Sequence, residues 1–341
     1  MRRTFIQQMF STDIAIDLGT ANTLVYVRGK GVVCNEPSVV AINNSTSEIL
    51  AVGSEAKSML GKTHGKIDAI CPLQDGVISN YDITEKMLRY FIMKVYSRRP
   101  LVRPRIVICI PSGVTQVEKR AVRESAIQAG AREVYIVEEP MAAALGAGLP
   151  IHEPAGNMVI DIGGGTTEVA VISLYGITDS KSVRVGGNKM DENIINYIKQ
   201  KYKLNISQTL AEQIKMHVGT AYPMEESVSM EIKGNDIVLG MPAIREITNS
   251  EIRDALEESV TKIVEAVKHV LEFVTPEHAA DIVDRGIVLT GGGALLKNID
   301  KRLNEETGLP IIVSDDPLTA VVMGLGKVLE SSDLLRKVTV D

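Results

Sequence analysis

The sequence predicts an α/β protein of two related lobes facing each other across a cleft, each lobe interrupted by an inserted subdomain. Three observations predict it. Apolar β-branched runs alternate with helix-periodic segments along the chain. A hairpin with a small-residue turn occurs near the start and recurs 144 residues later, measured from Asp17 to Asp161, as expected of two variants of one unit. The length of 341 residues exceeds what one hydrophobic core usually serves, and at ~150 residues per domain it calls for two or more.

Taken in order, the first ten residues precede any predicted strand and hold Phe5 and Phe10, two of only four phenylalanines in the chain. At helical spacing Met1, Phe5, Ile6, Met9 and Phe10 share one half of the wheel and Arg3, Thr4, Gln7 and Gln8 the other, with Arg2 snorkelling from the apolar side. A frayed terminus is the plainer reading; the sharper one is an interfacial amphipathic helix. Burying four apolar side chains is worth at most about 6–12 kcal/mol, and ordering the segment costs about as much. One copy therefore binds a membrane weakly, and such an anchor suits many linked copies.

Asp13 to Asp17 reads as an apolar strand, followed by the turn Leu18-Gly19-Thr20-Ala21-Asn22 and a strand through Leu24, Val25, Tyr26 and Val27. Arg105 to Ile110 is a β-branched run ending at Pro111-Ser112-Gly113. Val117 to Ala129 is a periodic helix closed by Gly130, Tyr135 to Val137 a short strand, and Pro140 opens an Ala-rich helix through Ala147. The second unit begins with Val159-Ile160-Asp161-Ile162-Gly163-Gly164-Gly165-Thr166-Thr167 and a strand through Val169 to Ile172. Asn249 is read as the cap of a long helix from Ser250 to about Phe273, stopped before Pro276. Ile287 to Thr290 is a strand running into Gly291-Gly292-Gly293, with a helix starting at Ala294. Insertions are expected at about 33–76 and 187–248; the second holds the Glu225-Glu226-Ser227 loop and an alternating strand from Val228 to Ile232.

Composition narrows the function classes. Hydrophobic residues at 45% and charged residues at 23% exclude disordered and collagen-like chains. With 37 Lys and Arg against 43 Asp and Glu, the formal charge of -6 repels nucleic acid, so no nucleic-acid partner is expected and any membrane contact is local. Cys34, Cys71 and Cys109 are odd in number and widely spaced, which speaks against disulfides or a zinc site and for a reducing cytoplasm. No apolar run approaches the ~20 residues of a spanning helix, and the N-terminus lacks the apolar run of an export signal.

The turns carry the chemistry. Gly and small hydroxyl residues leave backbone N–H groups free to meet phosphate oxygens, and two such turns can grip a polyphosphate from opposite sides. Asp17 and Asp161 stand at equivalent positions just before them, where carboxylates can hold a hydrated Mg²⁺. Thr290-Gly291-Gly292-Gly293-Ala294 ends a strand and lets backbone approach a nucleoside. Glu139, between a strand and a helix, can orient an attacking water in phosphoryl transfer. Each feature alone has a plainer reading: a Gly-rich turn is a hairpin, the aspartates shape turns, and Glu139 favours a first helical turn. Three matched sites outweigh them. Walker and Rossmann patterns are absent, as are zincin histidine pairs and a Gly-x-Ser-x-Gly elbow.

Four motifs carry a resemblance over essentially the whole chain: Asp17-Leu18-Gly19-Thr20-Ala21-Asn22-Thr23, Asp161-Ile162-Gly163-Gly164-Gly165-Thr166-Thr167-Glu168, Glu139-Pro140-Met141-Ala142-Ala143-Ala144 and Thr290-Gly291-Gly292-Gly293-Ala294-Leu295. They resemble the phosphate-1, phosphate-2, connecting and adenosine motifs of the actin, Hsp70 and sugar-kinase superfamily, and within it the MreB family of bacterial actin homologues. The resemblance implies an actin-like ATPase fold of duplicated ribonuclease-H-like units, binding ATP and Mg²⁺ and hydrolysing ATP slowly on polymerisation. It also implies paired protofilaments of the chain with itself, peripheral attachment to the inner face of the cytoplasmic membrane, contact with transmembrane proteins of the rod elongation complex, and control of rod shape.

Its subdomains would be 11–32 with 77–150 and 320–341, 33–76, 151–186 with 249–319, and 187–248, after the membrane segment 1–10. Carried over by position, Asp17, Gly19, Thr20, Ala21 and Asn22, with Asp161, Gly163, Gly164, Gly165 and Thr166, would surround the phosphates and Mg²⁺. Glu212, Gln213, Ile214 and Lys215 match the segment whose ends, Glu212 and Lys215, would contact adenine and ribose; Gly291, Gly292, Gly293, Ala294 and Leu295 match the adenosine loop. Glu139 with Thr166 or Thr167 would position the hydrolytic water. Leu101 and Val102, amid Arg98, Arg99, Arg103 and Arg105, resemble a second membrane-insertion loop, joining Phe5, Ile6, Met9 and Phe10. His217 departs from the family, where Glu is common. The alternative is a soluble Hsp70-like or sugar-kinase-like ATPase: the first is expected to carry a long substrate domain after the ATPase core, the second a base aimed at an acceptor hydroxyl.

Overall fold

The computed structural model describes residues 13–95 and 103–340. The expected membrane residues Phe5, Ile6, Met9, Phe10, Leu101 and Val102 lie outside these. Two five-stranded sheets form the lobes. The first runs Glu133–Glu138, Arg105–Ile110, Ile14–Leu18, Asn22–Val27, Gly31–Pro37; the second runs Ile311–Val313, Ile287–Thr290, Asn157–Ile162, Thr167–Ser173, Gly176–Val183. In both, three consecutive strands pair antiparallel and two later strands add in parallel on the other side of the first. The duplication read from two hairpins thus extends to the whole sheet.

Ile14–Leu18 and Asn157–Ile162 are central because they are apolar on both faces, the pattern of strands covered on both sides. The layer between the lobes joins Ala15 and Val107 of the first sheet to Val159 and Ala170 of the second through two helices, Glu139–Gly146 and Ala320–Glu330. These helices are exchanged. The one leaving the first sheet packs on the second sheet, and the one following the second sheet packs on the first. They cross at glycines: a Cβ at Gly146 would lie 1.7 Å from the Ala320 carbonyl oxygen, and one at Gly324 would lie 1.8 Å from that of Ala142.

The insertions carry small sheets, Ile49–Val52 with Val40–Asn43 and Ile67–Ile70, and Leu204–Asn205 with Ser229–Asp236 and Pro242–Thr248. Gly31–Pro37 pairs with Asn22–Val27 through a bulge at Val25/Tyr26, so the main sheet continues past the expected start of the first insertion. Two local expectations are corrected. The helix Asn249–Phe273 is capped by Thr248, whose hydroxyl and N–H form a reciprocal box with Glu251. Asn249 instead accepts from the Val228 N–H and donates to the Glu226 carbonyl, tying the helix to the preceding loop. And Ala294 sits in a single 3-10 turn, Gly292–Leu295; the α-helix Ile299–Thr307 begins only after Asn298, whose φ of 57° breaks continuity.

Thr248→Ala is expected to lower stability by about 1 kcal/mol, readable as a shift in a denaturant midpoint at unchanged slope. Among the described residues no helix is long and apolar enough to cross a membrane.

Candidate nucleotide-binding cleft

The two hairpin turns meet between the lobes. A Cβ at Gly164 would lie 2.5 Å from the Ala21 Cβ, and one at Gly165 2.6 Å from Thr20 Oγ1, so only glycine allows the turns this close. The second turn is closed by the Gly163 N–H donating to the Thr166 carbonyl at 2.8 Å. In the first, Gly19 stands against the Asn22 carbonyl, and Ala21 and Asn22 are exposed. Gly76, from the short hairpin Leu73–Ile78, donates its N–H to Thr20 Oγ1 at 3.2 Å. Thr167 donates to the Val185 carbonyl at 2.7 Å, which makes it a strut of the turn and leaves Thr166 as the hydroxyl at its tip.

Four carboxylates converge behind the turns. Asp17 accepts from the Cys109 thiol at 3.3 Å, and ligand atoms of Asp17, Cys109 and Glu139 lie within 4.8 Å of one another. Asp161 accepts from Thr290 Oγ1 at 2.9 Å. Glu168, directly opposite Asp161 in the sheet, accepts from the Ser112 N–H at 3.1 Å and from Ser182 Oγ at 2.6 Å.

Burial pushes Asp17 up to about 7, against the Cys109 bond and helped by the Asp161 charge. Burial likewise raises Asp161 to about 6 against the Thr290 bond. Glu168 rises to about 7, by burial first, against its bonds to Ser182 and Ser112. Glu139 goes well above the usual carboxylate range through burial, then the charges of Glu168, Asp17 and Asp161. The charges that shift these groups are all negative. Among the described residues no Lys or Arg pairs with these convergent oxygen donors, and the set fits a hard divalent cation such as Mg²⁺.

A pH dependence follows. These acids have folded-state values above the ~4 of an unfolded chain, so the folded state binds more protons, and stability falls as pH rises from about 4 through about 7. Without nucleotide and cation, the protein is expected to melt higher near pH ~5 than near pH ~8. Thermal melts across that range check it, and Mg²⁺ with nucleotide is expected to raise the alkaline values most.

In the loop expected to meet the nucleoside, Gly291 has φ of 81° and a Cβ there would meet the Ile162 carbonyl oxygen at 2.4 Å; a Cβ at Gly293 would meet Ile162 Cγ2 at 2.1 Å. Gly292 has freer space, with Leu318 at 3.4 Å. Ala294 is buried and Leu295 exposed. Across the cleft, Glu212 pairs with Lys57 of the first insertion at 2.9 Å. Lys215 pairs with Asp191 at 2.8 Å and donates to the Gly187 carbonyl. Gln213 is exposed, while Ile214 is fully buried in the core of the second lobe, so its side chain seats the helix Gln208–Val218 rather than facing the cleft. His217 is exposed at the end of that helix, where its carbonyl accepts from Lys297.

Sequence reasoning assigned no role to Glu168, Ser112 or Gly76. Glu168 carried a usable signal: it follows Asp161 by the same seven residues that separate Leu24 from Asp17, and a charged residue replaces an apolar one.

Residues 11–337 match the MreB/Mbl protein family. The cell shape-determining protein MreB of Escherichia coli K12 is 55% identical over 333 residues, covering 96% of this chain and 95% of that protein. The cell shape-determining protein Mbl of Bacillus subtilis 168 is 48% identical over 329 residues, with 96% and 99% covered. Among solved structures, MreB5 of Spiroplasma citri bound to ADP superposes with a TM-score of 0.90 at 41% identity, covering 96% of this chain and 98% of that one. With its paired lobes, its actin-like fold and a match along nearly its full length, the chain belongs to the MreB/Mbl family.

Proposed function

We propose that the protein is an ATP-dependent filament subunit that determines rod shape by organising wall elongation at the inner face of the cytoplasmic membrane, hydrolysing ATP slowly as it polymerises. The observation that carries the nucleotide reading is the meeting of two glycine-hydroxyl turns, one from each lobe, over converging buried carboxylates. The backbone N–H groups of Gly19–Asn22 and Gly163–Thr166 cradle the phosphates. Asp17 and Asp161 hold Mg²⁺ through water, and the ion, when bound, neutralises phosphate charge. Glu139 and Thr166 orient the attacking water. Gly291–Leu295, Glu212 and Lys215 hold the nucleoside.

The chain's partners in this reading are further copies of itself in paired protofilaments, the membrane through Phe5, Ile6, Met9, Phe10, Leu101 and Val102, and transmembrane proteins of the elongation complex. Support comes from the family relatives named for cell shape and from Spiroplasma MreB5 structures bound to ADP and to AMPPNP.

The test is sedimentation and imaging with ATP, Mg²⁺ and anionic liposomes, using the full chain and one lacking residues 1–10. Filaments on liposomes, with weaker attachment for the truncation, are expected. No polymer at any concentration would sink the filament reading; equal attachment without residues 1–10 would move the anchor to Leu101 and Val102.

The Lys57–Glu212 pair spans the cleft mouth with both side chains 36% exposed, a setting in which ion pairs contribute about 0–1 kcal/mol. Lys57→Ala is therefore expected to speed nucleotide release by up to about fivefold, measured by chasing a fluorescent ATP analogue.

A further inference from the structure

Glu168 is the one charged residue of the buried strand Thr167–Ser173. Its equivalent in the first hairpin, Leu24, packs in the layer between the lobes, and both stand opposite the aspartate of their hairpin. In the second hairpin this places two carboxylates, Asp161 and Glu168, directly across from each other, an arrangement that costs stability. Glu168 is only 1% exposed, which adds a desolvation cost. A fold that needed only packing here would use leucine, as its own duplicate does.

What Glu168 does instead is reach the other lobe. One carboxylate oxygen accepts from the Ser112 N–H of the first lobe, and the other is held by Ser182 on the neighbouring strand. Ser112 lies in the turn that ends the strand Arg105–Ile110, and Ile110 pairs with Glu138, the residue before Glu139. The same turn reaches the tip of the second hairpin: a Cβ at Gly76 would lie 2.7 Å from Pro111 Cγ and 2.9 Å from Thr166 Cγ2, while the Gly76 N–H donates to Thr20. Pro111, Gly76, Thr166 and Thr20 thus form one packed stack, and Glu168 clamps its end.

We propose that Glu168 is a positioning residue for nucleotide hydrolysis: by holding the Pro111–Gly113 turn of the first lobe against the second hairpin, it fixes where Glu139 and Thr166 stand relative to the phosphate under attack. The proposal rests on the nucleotide-hydrolysis reading above. It makes the acceptor oxygen, rather than the charge, the working feature. Replacing Glu168 by a hydrocarbon takes away the acceptor that the buried Ser112 N–H uses.

The full chain is compared with Glu168→Leu, Glu168→Gln and Ser182→Ala, in ATP and Mg²⁺, by phosphate release and, separately, by equilibrium binding of a fluorescent ATP analogue. Glu168→Leu keeps the bulk and removes the acceptor; it is expected to lower kcat about tenfold or more, the scale of a misplaced reacting group, with KM and analogue affinity within about threefold. Glu168→Gln can still accept from Ser112 and donate to Ser182, and is expected to restore kcat to within about threefold of the parent. Ser182→Ala loosens the carboxylate without touching the lobe-to-lobe bond and is expected to fall between them, which keeps the idea testable should the leucine variant not fold. Parent-like kcat in the leucine variant, or equal losses in the leucine and glutamine variants, overturns the proposal. If the parent chain binds the analogue and releases no phosphate, the hydrolysis reading itself is at fault.

Discussion

Glu139→Ala is expected to cut phosphate release by about 10²–10³-fold while leaving binding of an ATP analogue within about threefold. Glu139 opens the helix Glu139–Gly146 directly after the strand Glu133–Glu138, with Pro140 fixing the first turn, so the backbone holds its carboxyl against Asp17 and Cys109. Phosphoryl transfer asks little covalent chemistry of a protein, and catalysis lies in orienting the nucleophile and countering charge. In the proposed reading Glu139 orients the water, so its removal is expected to cost rate, not affinity. Single-turnover phosphate release, read beside analogue binding, separates the two; a variant that loses affinity and rate in equal measure would make Glu139 a binding group.

The largest effect on stability is expected at the helix crossing. Gly146→Val puts a branched side chain where even a Cβ would lie 1.7 Å from the Ala320 carbonyl oxygen, and Gly324→Val does the same against Ala142. Backbone, not a flexible side chain, is in the way, so the helices must separate. Overpacking of this kind costs about 1–3 kcal/mol in ordinary cores and more where nothing can yield; about 4 kcal/mol or more is expected here. Gly148→Ala is a contrast: no heavy atom stands within 4 Å of a Cβ there, though φ is 80°, so only backbone strain of about 1–2 kcal/mol is expected. Chemical denaturation of the three variants orders them.

Much of this architecture was legible in the sequence because its signals are local. The hairpin turns, the aspartates before them and the Pro140 helix are set by residue type within a few positions of the chain. The cap of the long helix reads one residue late in the sequence because Asn249 and Thr248 are both good capping types, and the choice falls to a distant partner: Asn249 is taken up by Val228 and Glu226. The role of Glu168 was hidden for the same reason, since its partner Ser112 is 56 residues away on the other lobe. Likewise no periodicity tells that Thr167 rather than Thr166 is committed to a carbonyl, or that Glu212 faces Lys57 across the cleft.

The exchanged helices bear on how such a chain came to be. Each lobe borrows one wall of its core from a segment that belongs, by chain order, to the other. A polypeptide of half this length, holding one sheet and its closing helix, would leave that wall open and fold stably only by trading helices with a second copy, as domain-swapped dimers do. The present chain has the arrangement that such a dimer would have with its two halves joined end to end. Halves joined in one chain can differ where identical copies cannot, and Leu24 and Glu168 mark one place where these two do.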